Sequence, residues 1–227
     1  YVTIPEKGGT IYVDGRITRL SGDLKGRLTI VGNERTRITG NIRYVDDGGN
    51  TAMSNGTDYT KPYERNPDYQ GNTVLGVISR DDVVLTSDLP LAAEINATLL
   101  AVNGRVGIDG FQIDSLGNPI KDHYYGLTEE ERVYEAGYDS SSYRNRRFTK
   151  ESLRRLGGIV SNNRIIETFI GARNDGTAFV DSGFKRGSMR YDFNLLFNPP
   201  PNFVNVPRPV VTSIVPVYFV RNEAEES

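Results

Sequence analysis

Two acidic pairs are the chain's best raw material for chemistry. Asp46-Asp47 and Asp81-Asp82 each sit at the end of a β-rich run. If those ends meet, the four carboxylates can supply the oxygen ligands that Ca2+ takes. Two of them at a suitable separation can also serve glycoside hydrolysis, a chemistry that other parallel β-helices host. Acids at turns can equally sit in water or form Asx-turns, which needs no ligand. Other catalytic sets are thin. The single histidine, His123, lies in a polar Lys-Asp-His-Tyr-Tyr stretch, and no Gly-x-Ser-x-Gly elbow presents a nucleophile for it. One His and no Cys leave zinc almost without ligands. No Gly-x-x-x-x-Gly-Lys-Ser/Thr loop and no Gly-x-Gly-x-x-Gly turn offers a nucleotide site. No residue is assigned a catalytic role and no cofactor is required; Ca2+ at Asp46, Asp47, Asp81 and Asp82 is the one metal considered.

Binding residues are better represented. A basic run spans Tyr143 to Arg155 and carries Arg144, Arg146, Arg147, Lys150, Arg154 and Arg155 beside Tyr143 and Phe148. Cations neutralise phosphates and aromatic rings stack on bases, so the run is a nucleic-acid candidate. It can also be a solvated face balanced by Glu129–Glu131. There are 13 tyrosines and no tryptophan. Tyr59, Tyr63 and Tyr69 fall in one polar segment, and Tyr138 and Tyr143 in another. A flat apolar ring with a polar tip suits contact with a protein or a glycan. The alternative is that these rings pack their segments down onto the body of the protein.

Those segments interrupt a repeated phrase, a β-rich run closed by glycine. It begins as Thr10-Ile-Tyr-Val-Asp-Gly15 and continues through Arg16–Gly22, Asp23–Gly26, Arg27–Gly32 and Arg37–Val45. Leu20, Gly22, Leu24, Gly26, Leu28 and Ile30 keep a period of two, and so do Ile38, Gly40 and Ile42. Alternation of this kind buries one face of a strand and wets the other. Glycines in the buried set leave room for bends and close backbone approach. Repetition of the unit predicts an all-β fold in which strands stack as a parallel β-solenoid, each turn burying its face on the next.

The pattern resumes at Thr73–Ser79, Val83–Thr86, Ala92–Val102 and Val106–Ile108. Insertions are expected at about 46–72 and 114–155. Within the second, Thr128-Glu-Glu-Glu131 reads as a capping box opening a helix to about Ala136. Thr149–Leu156, closed by Gly157-Gly158, reads as another short helix. Further strands are expected at Ile159-Val160, Ile165–Ile170, Thr177–Val180, Met189–Phe197 and Val210–Val220. Asn198-Pro-Pro-Pro201 must be extended. Residues 1–221 thus form one domain, followed by a disordered acidic tail at 222–227. A net charge of −2 gives no global attraction to nucleic acid or anionic membrane. No apolar run reaches the roughly 18–20 residues of a membrane-spanning helix. The chain begins at Tyr1, and an upstream targeting segment or anchor is expected.

Several phrases, in order, resemble the β-helical, PilX-like proteins found with bacterial type IV pilus components, and more loosely the bactofilin-type polymer-forming solenoids. They are Gly26–Val31, Ile38–Tyr44, Leu75–Ser79, Ala97–Gly104, Leu156–Val160, Gly183-Phe184 with Tyr191-Asp192, and Phe197–Pro201. The resemblance implies a right-handed β-solenoid and a bacterial cell-surface or extracellular place, with the periplasm as the other possibility. It implies a pilus-linked role in adhesion or assembly, with pilus or other surface proteins, or glycans, as partners. It carries no catalytic residue.

Overall fold

The computed structural model describes residues 8–53, 64–108, 149–172 and 177–203. Its elements are β1 (Gly9–Val13), β2 (Ile17–Leu24), β3 (Arg27–Gly32), β4 (Thr36–Tyr44), β5 (Val74–Ser79) and β6 (Val83–Leu85). They continue with β7 (Ala92–Ala101), β8 (Val106–Ile108), β9 (Thr149–Ser161), β10 (Thr168–Ala172), β11 (Ala178–Arg190) and a helical turn, α1 (Asn194–Phe197). The fold is all-β. The described strands form one hydrogen-bonded sheet in which every pair is parallel except β10 with β11.

Parallel strands cannot be joined by a tight hairpin, so the chain must travel away and return. Here it returns by way of other strands, and the pairs sort into three columns. In the first, Ile30 lies beside Val77, Val77 beside Leu99, and Leu99 beside Ile159. In the second, Ile38 lies beside Leu85 and Leu85 beside Ile108. In the third, Gly22 lies beside Ile42, Ile42 beside Ile95, Ile95 beside Arg155 and Arg155 beside Met189. Partners in adjacent passes are close to twenty residues apart where nothing is inserted, as Gly9 with Leu28 and Val83 with Val106 show.

The core lies between the columns. Ile38, Leu85, Ile95, Leu99, Val106, Ile108 and Leu153 are fully buried within one cluster. β7 shows the alternation plainly: Ala93, Ile95, Ala97, Leu99 and Ala101 join the core, while Glu94, Asn96 and Thr98 take the opposite face. In the third column the aliphatic position of Ile42 and Ile95 is taken in the next pass by Arg155, which forms a two-pronged ion pair with Glu167.

Glycine has a physical role at Gly157, where β9 passes from the third column to the first. Its φ is +142°, and a Cβ there would overlap the carbonyl oxygen of Ala97 in the pass below. Another close approach lies at Gly76. The ring of Phe203 and Pro200 occupy the space a Cβ would need, so the proline segment straps the outside of the first column. Pro199 and Pro201 carbonyls accept hydrogen bonds from Arg27 and Thr29.

Three expectations need correction. Thr149–Leu156 is the first half of β9 rather than a helix, because ten successive residues of β7 template it through Ala92–Ala101 opposite Ser152–Ser161. Non-local pairing there overrides local capping signals. The strand expected at Met189–Phe197 ends at Arg190, and Asn194–Phe197 turn helically. Parallel stacking gives way to an antiparallel pair at β10–β11. The helix expected at 128–136, the strand at Val210–Val220 and the acidic tail lie outside the described residues.

Two glycine-to-alanine variants separate backbone strain from steric overlap. Gly22 has φ +129° but nothing within 4 Å of an added Cβ. Gly22→Ala should cost about 1–3 kcal/mol, from conformation alone. Gly157→Ala should cost clearly more, because the Ala97 carbonyl must also move. Urea unfolding of both variants checks this, and equal losses would contradict it.

Candidate functional site

The insertion that follows β4 folds back on itself before rejoining the ladder. Val45 bridges Thr51, and Met53 bridges Arg65, both antiparallel. Ala52, Met53 and Tyr69 are buried on the core cluster. Asp46 ties the two ends of the loop together. Its Oδ1 accepts the Asn50 N–H at 2.8 Å, and its Oδ2 accepts the Gln70 N–H at 3.0 Å. Those bonds, Gln70 foremost, hold the Asp46 carboxyl below its ordinary pKa.

Asp82 is equally committed to structure. Its Oδ1 accepts the Arg105 N–H at 2.9 Å, and its Oδ2 lies 3.5 Å from the Arg35 guanidinium. It therefore links three successive passes at the corner before β6. Asp47 is exposed and pairs with Lys25, and Asp81 pairs with Arg80 at 3.6 Å. The two acidic pairs do not converge. Asp82 stands beside the start of β4, where Val83 pairs with Thr36, and Asp46 follows its far end after Tyr44. Among the described residues no three His, Cys, Asp or Glu side chains gather where a metal could sit.

Of the recognition tyrosines, Tyr69 is 4% exposed and its hydroxyl oxygen accepts the Thr73 N–H. It packs the insertion onto the body instead of facing solvent. Burial raises its pKa. Tyr59, Tyr63, Tyr138, Tyr143, Arg144, Arg146, Arg147 and His123 lie outside the described residues.

A different site is built where this insertion meets the segment leaving β11. Ala52, Arg65, Tyr69, Leu156, Arg190, Tyr191, Asp192, Phe193 and Asn194 enclose a pocket of about 310 Å³. Asp192 is only 4% exposed. Its Oδ1 accepts the Asn194 N–H at 3.0 Å, while its Oδ2 is buried and has no hydrogen-bond partner. Burial raises the Asp192 pKa, against the opposing pull of the Asn194 N–H and the Arg65 charge. Tyr191 and Phe193 flank it in an edge-on pair with centroids 5.6 Å apart. Both rings are open to solvent, as are Leu196 and Phe197 beyond them.

Comparison with protein-family models, curated proteins and solved structures finds no match.

A buried acceptor without a donor is costly, and native proteins keep few of them. An isolated pocket with few convergent polar groups and an apolar wall is the usual form of a small-molecule site. Nothing in the sequence around Asp192 marks it beyond an acid set between two aromatic residues and preceded by Arg190. Its burial depends on Ala52 and Tyr69, which lie more than a hundred residues earlier.

Raised pKa fixes the sign of the pH effect. The Asp192 contribution to stability is fully present below the carboxyl's unfolded pKa and is lost as pH rises through the folded value. At neutral pH the charged group is a net penalty. Asp192→Asn removes that charge and keeps an acceptor for the Asn194 N–H. Its Tm at pH 7 should therefore equal or exceed that of the parent, with the advantage shrinking in acid. Thermal unfolding between pH 4 and pH 7 tests this, and a Tm lowered by several degrees at pH 7 would contradict it.

Proposed function

We propose that this chain is a right-handed parallel β-solenoid that serves as a non-enzymatic recognition scaffold on the bacterial surface. Its three parallel columns and its return interval of close to twenty residues support the solenoid reading. Handedness follows from the strong preference of parallel crossovers for the right hand. The type IV pilus association, in adhesion or assembly, rests on the ordered run of phrases from Gly26 to Pro201.

One observation carries the recognition reading. The Asp192 pocket is walled by two parts of the chain that both leave the ladder beside the third column. A rigid stack that holds such a pocket suits presentation of a ligand site. Binding is favoured over glycoside hydrolysis because hydrolysis generally uses two carboxylates about the scissile bond. Among the described residues that line this pocket, Asp192 is the one acid.

A retention assay on surface material tests the proposal. Immobilised chain should retain polysaccharide or protein from a sheared bacterial surface fraction, and release no new reducing ends from it. Phe193→Ala should cut retention at least fivefold. Reducing ends that appear with the parent and vanish with Asp192→Asn would overturn the proposal in favour of an enzyme.

A further inference from the structure

We infer that the Asp192 pocket is a saccharide subsite, taking one hydroxyl-bearing sugar ring at a time. This rests on the recognition reading and names its ligand. Three features narrow the chemistry. First, Asp192 lines the pocket and its buried Oδ2 has no hydrogen-bond partner; as a carboxylate that oxygen accepts, so a ligand that reaches it must donate. Second, Arg65 and Arg190 line the same pocket. They disfavour an ammonium or guanidinium ligand, which would otherwise be the obvious partner of a carboxylate. A bare inorganic anion is disfavoured in turn by Asp192 itself. What remains is a neutral or mildly acidic donor, and a hydroxyl fits. Third, Tyr191 and Phe193 line the pocket with their rings partly open to solvent and mutually edge-on. An exposed ring offers a flat apolar surface to the C–H face of a pyranose, while the sugar's rim hydroxyls reach inward.

Size agrees. A pocket of about 310 Å³ sits at the lower end of the roughly 300–1,000 Å³ usual for small ligands. One ring can fill it, with neighbouring residues of a longer glycan running out over Phe193 and Phe197.

Saturation-transfer NMR and isothermal titration on the full chain, using methyl glycosides of common hexoses and hexuronic acids, provide the test. Saturation should reach the sugar's ring protons. Asp192→Asn should weaken binding at least tenfold without lowering Tm, and Phe193→Ala should weaken it three- to tenfold. Asp81→Asn, outside the pocket, should leave affinity unchanged. Absence of transfer to every sugar, or an unaltered affinity in Asp192→Asn, would overturn the inference. If no sugar binds while Phe193→Ala still loses surface retention, the ligand class is wrong and the recognition reading survives. If neither sugar binding nor pocket-dependent retention is seen, both fall.

Discussion

Every buried main-chain N–H and C=O must find a partner. In this protein the partner lies one pass further along the chain. That single constraint organises the rest. A strand such as β5 cannot complete its hydrogen bonds until both β3 and β7 are in place. The alternation within each strand then follows, because only one face can look towards the other columns. Inward positions take aliphatic residues of matching register, and Ile38, Leu85 and Ile108 form one such stack. Corners take residues that can turn without a side chain, or acids such as Asp82 that gather the loose donors of neighbouring passes.

The same constraint explains where variation is tolerated. A long excursion does not disturb the ladder provided that the chain re-enters in register. The insertion after β4 does this, and Val74 resumes opposite Arg27 as if nothing had intervened. Asp46 closes the excursion at its base with two main-chain hydrogen bonds. What leaves the ladder is then free to form something local. Beside the third column, the insertion and the segment after β11 cover each other and trap Asp192 between them. Keeping a charged carboxylate there works against stability. Local costs of that kind are common at functional sites.

The sequence pattern exposed the ladder more readily than the site. Ile38, Gly40 and Ile42, or Val106 to Ile108, alternate cleanly, and their strands are present as read. Ala92–Ala101 is ambiguous by composition, yet it is a strand whose two faces are both covered. Thr149–Leu156 is the instructive failure. Leu153 and Leu156 are three residues apart, which mimics a helical stripe. In fact both join the core cluster from different faces of the strand, since Leu153 lies beside Ala93 and Leu156, which also lines the pocket, lies beside Asn96. Period-two alternation cannot be seen where both faces are buried. The acidic pairs misled for another reason. Their spacing along the chain gives no hint that β4 runs between them. Asp192 was hidden because its burial is made by residues remote in sequence.

All of this depends on parallel pairing at one-pass spacing, which backbone NMR can read directly. Isotope-edited NOE spectra should show the close Hα-to-amide contacts of parallel neighbours between Gly76 and Thr98, between Thr36 and Val83, and between Ala97 and Gly157. Strong Hα–Hα contacts at hairpin spacing along β3 to β9, with none linking those three pairs, would contradict the ladder and everything built on it.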